Sequence, residues 1–334
     1  MQPIEFGYRA EQEGHQPSVL LGLARLAQQA GFRFMPISDH FHPWFHTGAA
    51  GGFAWAWISA AAASVPDLRF GPLVAAPIGR YHPAVIAQSF ATMDEMFPGR
   101  FFLGLGTGEA MNEVPLGYPW PEFEERLERL KEAVEVIRLL WSKDFVTYKG
   151  KYYSLNGANL YTKPRTNIPI YLAANGPRAA ALVGQCADGY VTITPTLVRY
   201  KKLWSIIERT AREKGRDPAK IRKHIELFLA YGKDHDTALA AARKWKSGLI
   251  PAVFDSGIYD PRELEARGNK YSDLELGEVW TAITDKEEMI KKAEDAIAHG
   301  FDEIEFHCVG SEEEFIALCK KEVLPYLVSE YSGS

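Results

Sequence analysis

Short apolar or alternating runs recur along the chain, each followed by a stretch whose apolar positions repeat every three or four residues. The short runs read as strands over 4–8, 34–38, 69–74, 101–105, 168–173, 189–193, 224–230 and 303–306. The longer stretches read as helices near 17–30, 53–63, 83–97, 121–142, 177–186, 197–215, 236–248, 286–299 and 312–329. Strands that alternate with helices are joined by crossovers and therefore lie parallel. Such units, repeated eight times, predict an α/β fold of the (β/α)8 TIM-barrel type, with an open doubly wound sheet as the other arrangement. Two segments break the rhythm. Aromatic residues alternate around Lys149-Gly150 over 145–155, which predicts a β-hairpin. Residues 249–284 mix Pro, Asp, Gly and Tyr and read as a long insertion before the last strand, of the kind that forms lids. With no linker, repeat or low-complexity tract in 334 residues, a single domain is expected, with insertions near 145–165 and 249–284.

Composition narrows the partners. Hydrophobic residues make up 46% of the chain, enough for a sizeable core. A net charge of -5, with both signs scattered, leaves no basic patch, so neither nucleic acid nor an anionic membrane is an expected partner. The longest apolar run, 53–65, is alanine-rich and too short to span a bilayer. Met1-Gln2-Pro3 leads straight into a strand, so no signal peptide is expected. Cys186, Cys308 and Cys319 have neither metal-ligand nor CxxC spacing, which fits a reducing cytoplasm and no metal site.

Candidate chemistry sits just after strands, at the end of a barrel that faces the ligand. Ser38-Asp39-His40-Phe41-His42-Pro43-Trp44 places a carboxylate, imidazoles and an indole behind the second strand. Neighbouring side chains on a strand point to opposite faces, so Asp39 and His40 address different surroundings. His40 is the natural proton donor or acceptor near neutral pH; a lone histidine is more often structural, but Asp39 and Trp44 beside it tip the reading toward chemistry. His42 and His46 read as loop residues. Gly104-Leu105-Gly106-Thr107-Gly108-Glu109 follows the fourth strand; its glycines allow close approach of a ligand to the backbone. The spacing is not the dinucleotide fingerprint. Glu109 is either a solvated charge or, in one pocket with His40, half of an acid/base pair. Ala173-Ala174-Asn175-Gly176-Pro177 opens a helix whose first N–H groups can take a phosphate, or is a plain connection. Residues 71–77 read as the third strand and its exit. Trp44, Trp55 and Trp57 are core or the wall of a flat aromatic ligand.

Four motifs in order, Ser38-Asp39-His40-Phe41-x-Pro43-Trp44, Arg80-Tyr81-x-Pro83-Ala84-x-x-Ala87-Gln88, Gly106-Thr107-Gly108-Glu109-Ala110-x-Asn112-Glu113 and Ala173-Ala174-x-Gly176-Pro177, resemble the coenzyme F420-dependent dehydrogenases. These belong to the bacterial-luciferase-like superfamily and include sugar-6-phosphate and secondary-alcohol dehydrogenases. The resemblance spans essentially the whole chain. It implies a barrel with a 5-deazaflavin at its mouth, whose C5 accepts a hydride from a substrate carbinol. By position, it makes His40 the general base, Trp44 a residue that positions or stabilises, Glu109 the acid toward the deazaflavin N1 and Glu13 an assisting carboxylate. It implies a non-proline cis peptide at Leu73–Val74 behind the ring. Asp39, Ala76, Thr107, Gly108, Asn112, Ala173, Ala174 and Ile193 would line the cofactor, and Asn175 and Gly176 would hold its phosphate. Relatives are commonly homodimers, and helix 53–63 is the expected contributor to an interface.

The departures bear on substrate. Sugar-phosphate members carry two lysines and an arginine at the mouth, where Thr196, Asp255 and Val279 stand here. An anion pocket without cations loses its charge-assisted contacts. Residues 251–261 and Leu160-Tyr161-Thr162-Lys163-Pro164 look closer to the alcohol branch, while Lys163, Arg165, Lys201 and Lys270 are other sources of charge. The expected substrate is a neutral alcohol, with a phosphorylated sugar as the alternative. An FMN-dependent monooxygenase of the same superfamily and a cofactor-binding protein without catalysis are the remaining readings.

Overall fold

The computed structural model describes residues 3–331, and within that span the side chains of Pro195 and Thr196 lie outside the described set, so the Thr196 position is not considered further. The strands are β1 (Glu5–Tyr8), β2 (Phe34–Ile37), β3 (Arg69–Pro72), β4 (Leu103–Leu105), β5 (Val146–Lys149), β6 (Ser154–Ala158), β7 (Ile170–Ala173), β8 (Gly189–Ile193), β9 (Arg222–Tyr231), β10 (Thr281–Ile283) and β11 (Glu303–Gly310). Eight of them pair in the order β3-β2-β1-β11-β9-β8-β7-β4, all parallel. Isolated parallel bridges, Phe70 with Phe101 and Ala75 with Leu105, bring β3 beside β4 and complete the ring. The barrel expectation holds and the open sheet is excluded. β5 and β6 form the antiparallel hairpin expected around Lys149-Gly150.

Helices start and stop where local chemistry dictates. Pro17, Pro83 and Pro177 occupy first-turn positions, where proline's missing N–H costs nothing. Gly31 closes the helix Pro17–Ala30 in left-handed backbone, at φ 98. Apolar helix faces pack on the outer side chains of the strands; Phe6, Phe32, Phe90 and Phe306 are all essentially buried. Each such aromatic contributes about 1.5–3 kcal/mol relative to exposure. Among the described residues no helix is long and apolar enough to cross a membrane.

The insertion differs from expectation. Within 249–284 lie the helices Pro261–Gly268 and Asp273–Gly277 and the strand β10, which runs parallel to β9. β8 leaves β9 after Glu226, and β10 takes over that edge from Leu229 to Tyr231. A three-residue strand is too short for periodicity to reveal. The predicted helix 236–248 is a shorter helix, His235–Ala241, continued by a 3-10 stretch, and 312–329 is interrupted by a π turn at Cys319–Val323.

The barrel interior is charged. On β11, Glu303, Glu305 and His307 alternate with Ile304, Phe306 and Cys308, which join the outer core. Arg9, just past β1, donates to Glu305 Oε1, Ser38 Oγ and Leu73 O, each at 2.9 Å. His224 Nε2 lies 2.7 Å from Glu305 Oε2, and His307 Nδ1 lies 2.7 Å from Glu226 Oε1. Tyr171, Arg69 and Arg222 converge on Glu303 Oε1 at 3.0–3.2 Å. Burial alone would raise Glu226, but Arg9 and His307 outweigh it and hold the carboxyl at about 2. Burial would lower His224, but Glu303 and Glu305 push it up to about 9.

These shifts predict an acid-sided stability optimum. The Glu226 contribution is complete above its unfolded value of 4.5 and vanishes as the pH falls toward 2. That of His224 is complete below 6.5 and vanishes as the pH climbs toward 9. Glu11 and Glu113, pushed up by burial to about 7, further reduce stability between 4.5 and 7. The urea midpoint is therefore expected to peak near pH ~5 and to fall on both sides, at pH ~3 and pH ~8.5. A midpoint that rises steadily to pH ~8.5 would refute this account.

Candidate active site

β2 ends at Ile37, and the next three residues fan out. Ser38 turns inward to Arg9, at 2.9 Å. Asp39 points toward the exit of β3: Arg80 Nη2 donates to its backbone oxygen at 2.7 Å and lies 3.2 Å from Oδ1, which also accepts from Tyr81 Oη at 3.1 Å. Burial raises the Asp39 carboxyl despite these partners. His40 points the other way, as neighbours on an extended backbone do. Its Nδ1 is hydrogen-bonded to Glu13 Oε1, brought from the loop after β1.

Glu109 arrives from β4. The turn before it relies on glycine: Gly108 has φ 79, and a Cβ there would sit 2.7 Å from Ile78 Cδ1 and 3.0 Å from Ala76 Cβ. A Cβ on Gly106 would sit 2.6 Å from Val74 Cγ2. The exits of β3 and β4 therefore press against one another, and within the former the Leu73–Val74 peptide is cis, at the position the resemblance singles out. Arg9 donates to the carbonyl of that bond.

His40 and Glu109 share one site. His40 Nε2 lies 4.0 Å from Glu109 Oε2, so the imidazole stands between two carboxylates. Asn112 Nδ2 donates to Glu109 Oε2 at 2.9 Å, and Asn112 Oδ1 accepts from Phe41 N at 2.8 Å. One amide thus ties the histidine motif to the glutamate motif. Burial would lower His40, but Glu13 and Glu109 outweigh it and raise the imidazole. Burial would raise Glu13, yet His40 and Arg9 hold it low. Glu109 is raised by burial, only partly opposed by His40 and Arg80. Two carboxyl groups on one imidazole are thereby pushed in opposite directions, the arrangement that separates acid from base roles.

Around this centre, Trp44 packs edge-on against His40 with ring centroids 6.0 Å apart, and Phe254 packs edge-on against Trp44 at 5.5 Å. Trp55 stacks on Tyr81 at 4.3 Å and Trp57 packs on Phe70, so these two indoles are core and not pocket wall. Ala173 ends β7, Ala174 and Asn175 follow, and Gly176 caps the helix Pro177–Cys186 without a side-chain hydrogen bond. A Cβ on Gly176 would meet nothing within 4 Å, so that helix start opens on free space. Thr192 Oγ1 donates to Asn175 Oδ1 at 3.2 Å, and Ile193 ends β8 beside it.

Several residues escaped sequence reasoning. Arg9, Arg80, Tyr81 and Glu113 all contact the site; Glu113 accepts from Arg80 N at 2.6 Å. The pair Arg80-Tyr81 stood within a quoted motif, and Arg9 stood at a strand exit, so both carried a signal. Of the alternative cations, Lys163 is bound to the carbonyls of Leu140 and Lys143, while Arg165, Lys201 and Lys270 are exposed. Asp255 is paired with Arg126, and Val279 packs on an apolar cluster that includes Trp44, Val253 and Trp280.

Known proteins share this arrangement of chain. An F420-dependent glucose-6-phosphate dehydrogenase of Microbacterium testaceum (strain StLB037) is 37% identical over 334 residues, covering 99% of both chains. One from Mycolicibacterium fortuitum is 38% identical over 332 residues, covering 98% of this chain and 99% of its own. Among solved structures, an F420-dependent secondary alcohol dehydrogenase in complex with an F420-acetone adduct superimposes with a TM-score of 0.93 at 36% identity, covering 97% of this chain and 99% of that one. The family model described as luciferase-like monooxygenase matches residues 3–317, nearly the whole barrel. Similarity of this extent, over a barrel with the same order of strand-exit motifs, makes the chain a member of the luciferase-like monooxygenase family.

Proposed function

We propose that the protein is an F420-dependent dehydrogenase that oxidises a neutral alcohol, with His40 as its base. The carrying observation is the His40 imidazole, held at Nδ1 by Glu13 with Nε2 facing Glu109 across 4.0 Å at the barrel mouth. The residues fit the cofactor. The glycine turn at 106–108 packs tightly on Val74, Ala76 and Ile78, and Gly176 opens on free space at an uncapped helix start suited to a phosphate. Asp39, Leu73, Val74, Ala76, Thr107, Gly108, Asn112, Ala173, Ala174, Asn175, Gly176 and Ile193 would hold it. When bound, the deazaflavin supplies the hydride acceptor. His40 Nε2 takes the carbinol proton, Glu13 fixes the tautomer and favours the charged imidazolium, and Trp44 walls the site. Glu109, raised by burial, faces Nε2 on the side away from Glu13 and is the acid toward the cofactor.

The substrate preference follows from the mouth. Where the phosphate-binding relatives are expected to carry cations, Asp255 is already paired and Val279 is apolar, which disfavours an anion. The names of the relatives at 37–38% identity support the second reading, a sugar-6-phosphate substrate. F420 reduction with 2-propanol and with glucose 6-phosphate decides: turnover with the alcohol is expected, and turnover with the phosphate alone would overturn the preference. Tight binding of FMN in place of F420 would favour monooxygenase chemistry. The same proposal takes the chain as a single domain, cytoplasmic and homodimeric, with the alanine-rich outer face of helix Ala54–Ser64 in the interface.

A further inference from the structure

Helix Phe123–Ser142 buries one face comprising Arg126, Leu130, Ala133, Val134, Ile137 and Leu140. A guanidinium at the first of these positions, 2% exposed, is costly unless it is well paired. Its Nη1 faces the carbonyls of Thr107, Gly108 and Phe254 at 3.3, 3.4 and 3.5 Å, and its Nη2 is bonded to Asp255. Its plane lies over Trp120, 3.9 Å from the ring centroid. One side chain therefore joins the turn that carries Glu109 to the start of the insertion. Before Phe254, that start is anchored by Ile250 and Val253, which are buried in the cluster with Trp44 and Trp280. Phe254 is 42% exposed and belongs to no apolar cluster, and Ala252 holds left-handed backbone, φ 51, which a non-glycine residue keeps only when its surroundings enforce it.

We infer that the Arg126–Asp255 pair is a specificity latch. It fixes residues 252–257 on the barrel mouth, holds Phe254 edge-on to Trp44, and so limits the bulk of the alcohol that reaches His40. The inference rests on the alcohol-dehydrogenase reading above. Arg126 and Asp255 are positioning residues, acting through Phe254.

Asp255→Asn removes the charge but keeps a side-chain oxygen to accept from the buried Arg126, and unchanged exchange of the strands checks that the fold is retained. In hydrogen exchange on the full chain without cofactor, amides of 252–257 are expected to exchange about tenfold faster in Asp255→Asn, at the wild-type rate in Asp255→Glu, with the strands unchanged. In steady-state assays the KM for 2-propanol rises about fivefold, more than kcat changes, and the preference for 2-propanol over 2-octanol shrinks about tenfold. Phe254→Ala reproduces the loosened preference, and the double variant adds nothing further. Unchanged exchange in Asp255→Asn overturns the latch. Faster exchange with an unaltered alcohol preference overturns its part in specificity. A wild type inert toward every alcohol removes the substrate reading instead, and exchange alone then judges the latch.

Discussion

Replacing His40 with alanine is expected to lower kcat for alcohol oxidation by about 10²–10⁴-fold, the usual worth of a positioned general base. Cofactor affinity, read by fluorescence titration, should stay within about twofold, because the imidazole's polar contacts run to Glu13 and Glu109 and not toward the helix start at Gly176. Glu13 keeps Arg9 as a charged neighbour after the change, so the variant should remain folded. Added imidazole should recover part of the rate if the lost function is proton transfer. A dissociation constant that climbs in step with the loss of rate would make His40 a binding residue and remove the proposed chemistry.

Glu13→Gln tests the partner. In the wild type, Glu13 is the strongest influence opposing the effect of burial on His40. With that charge gone, burial dominates and the imidazole titrates lower. Oxidation needs the unprotonated base, so kcat/KM rises with pH through the His40 value. The acid limb of the profile should therefore move to lower pH in the variant. The plateau should fall about 10–10²-fold, because a base of lower pKa is a weaker proton acceptor and the amide orients the ring less firmly. A limb that stays in place would show that Glu13 does not govern the titration of His40.

Much of the architecture was legible because parallel barrel strands are short and bounded, and their helices repeat cleanly. All eight barrel strands and the hairpin fall where the pattern places them. His40 and Glu109 were legible as residues behind strands, although their approach to 4.0 Å depends on a closed ring that no local pattern encodes. Glu13 and the cis Leu73–Val74 bond came only through resemblance. The interior charges were missed despite a signal: Glu303, Glu305 and His307 alternate with apolar neighbours, a period-two polar face that in a helix-wrapped barrel must point to the axis. Arg126 was missed because it occupies an apolar position of an amphipathic helix, where its partners lie far away in sequence. Such a residue is visible only as an exception to the stripe it interrupts.

β10, which pairs with β9 beside the eight strands of the ring, has a practical consequence. The excursion between β9 and the helix Lys286–Ala298 begins at Gly232, whose N–H donates to Ile283 O at 3.3 Å, so its two ends lie side by side. It is stitched to the sheet by β10, and its Trp245 and Trp280 pack in a cluster shared with Trp44, Phe45 and Val309 of the barrel. Residues 232–283 therefore have the form of a transplantable cassette. Chimaeras that exchange this stretch with the matching stretch of a relative alter the rim above His40 and Glu109 while keeping all eight strands of the ring.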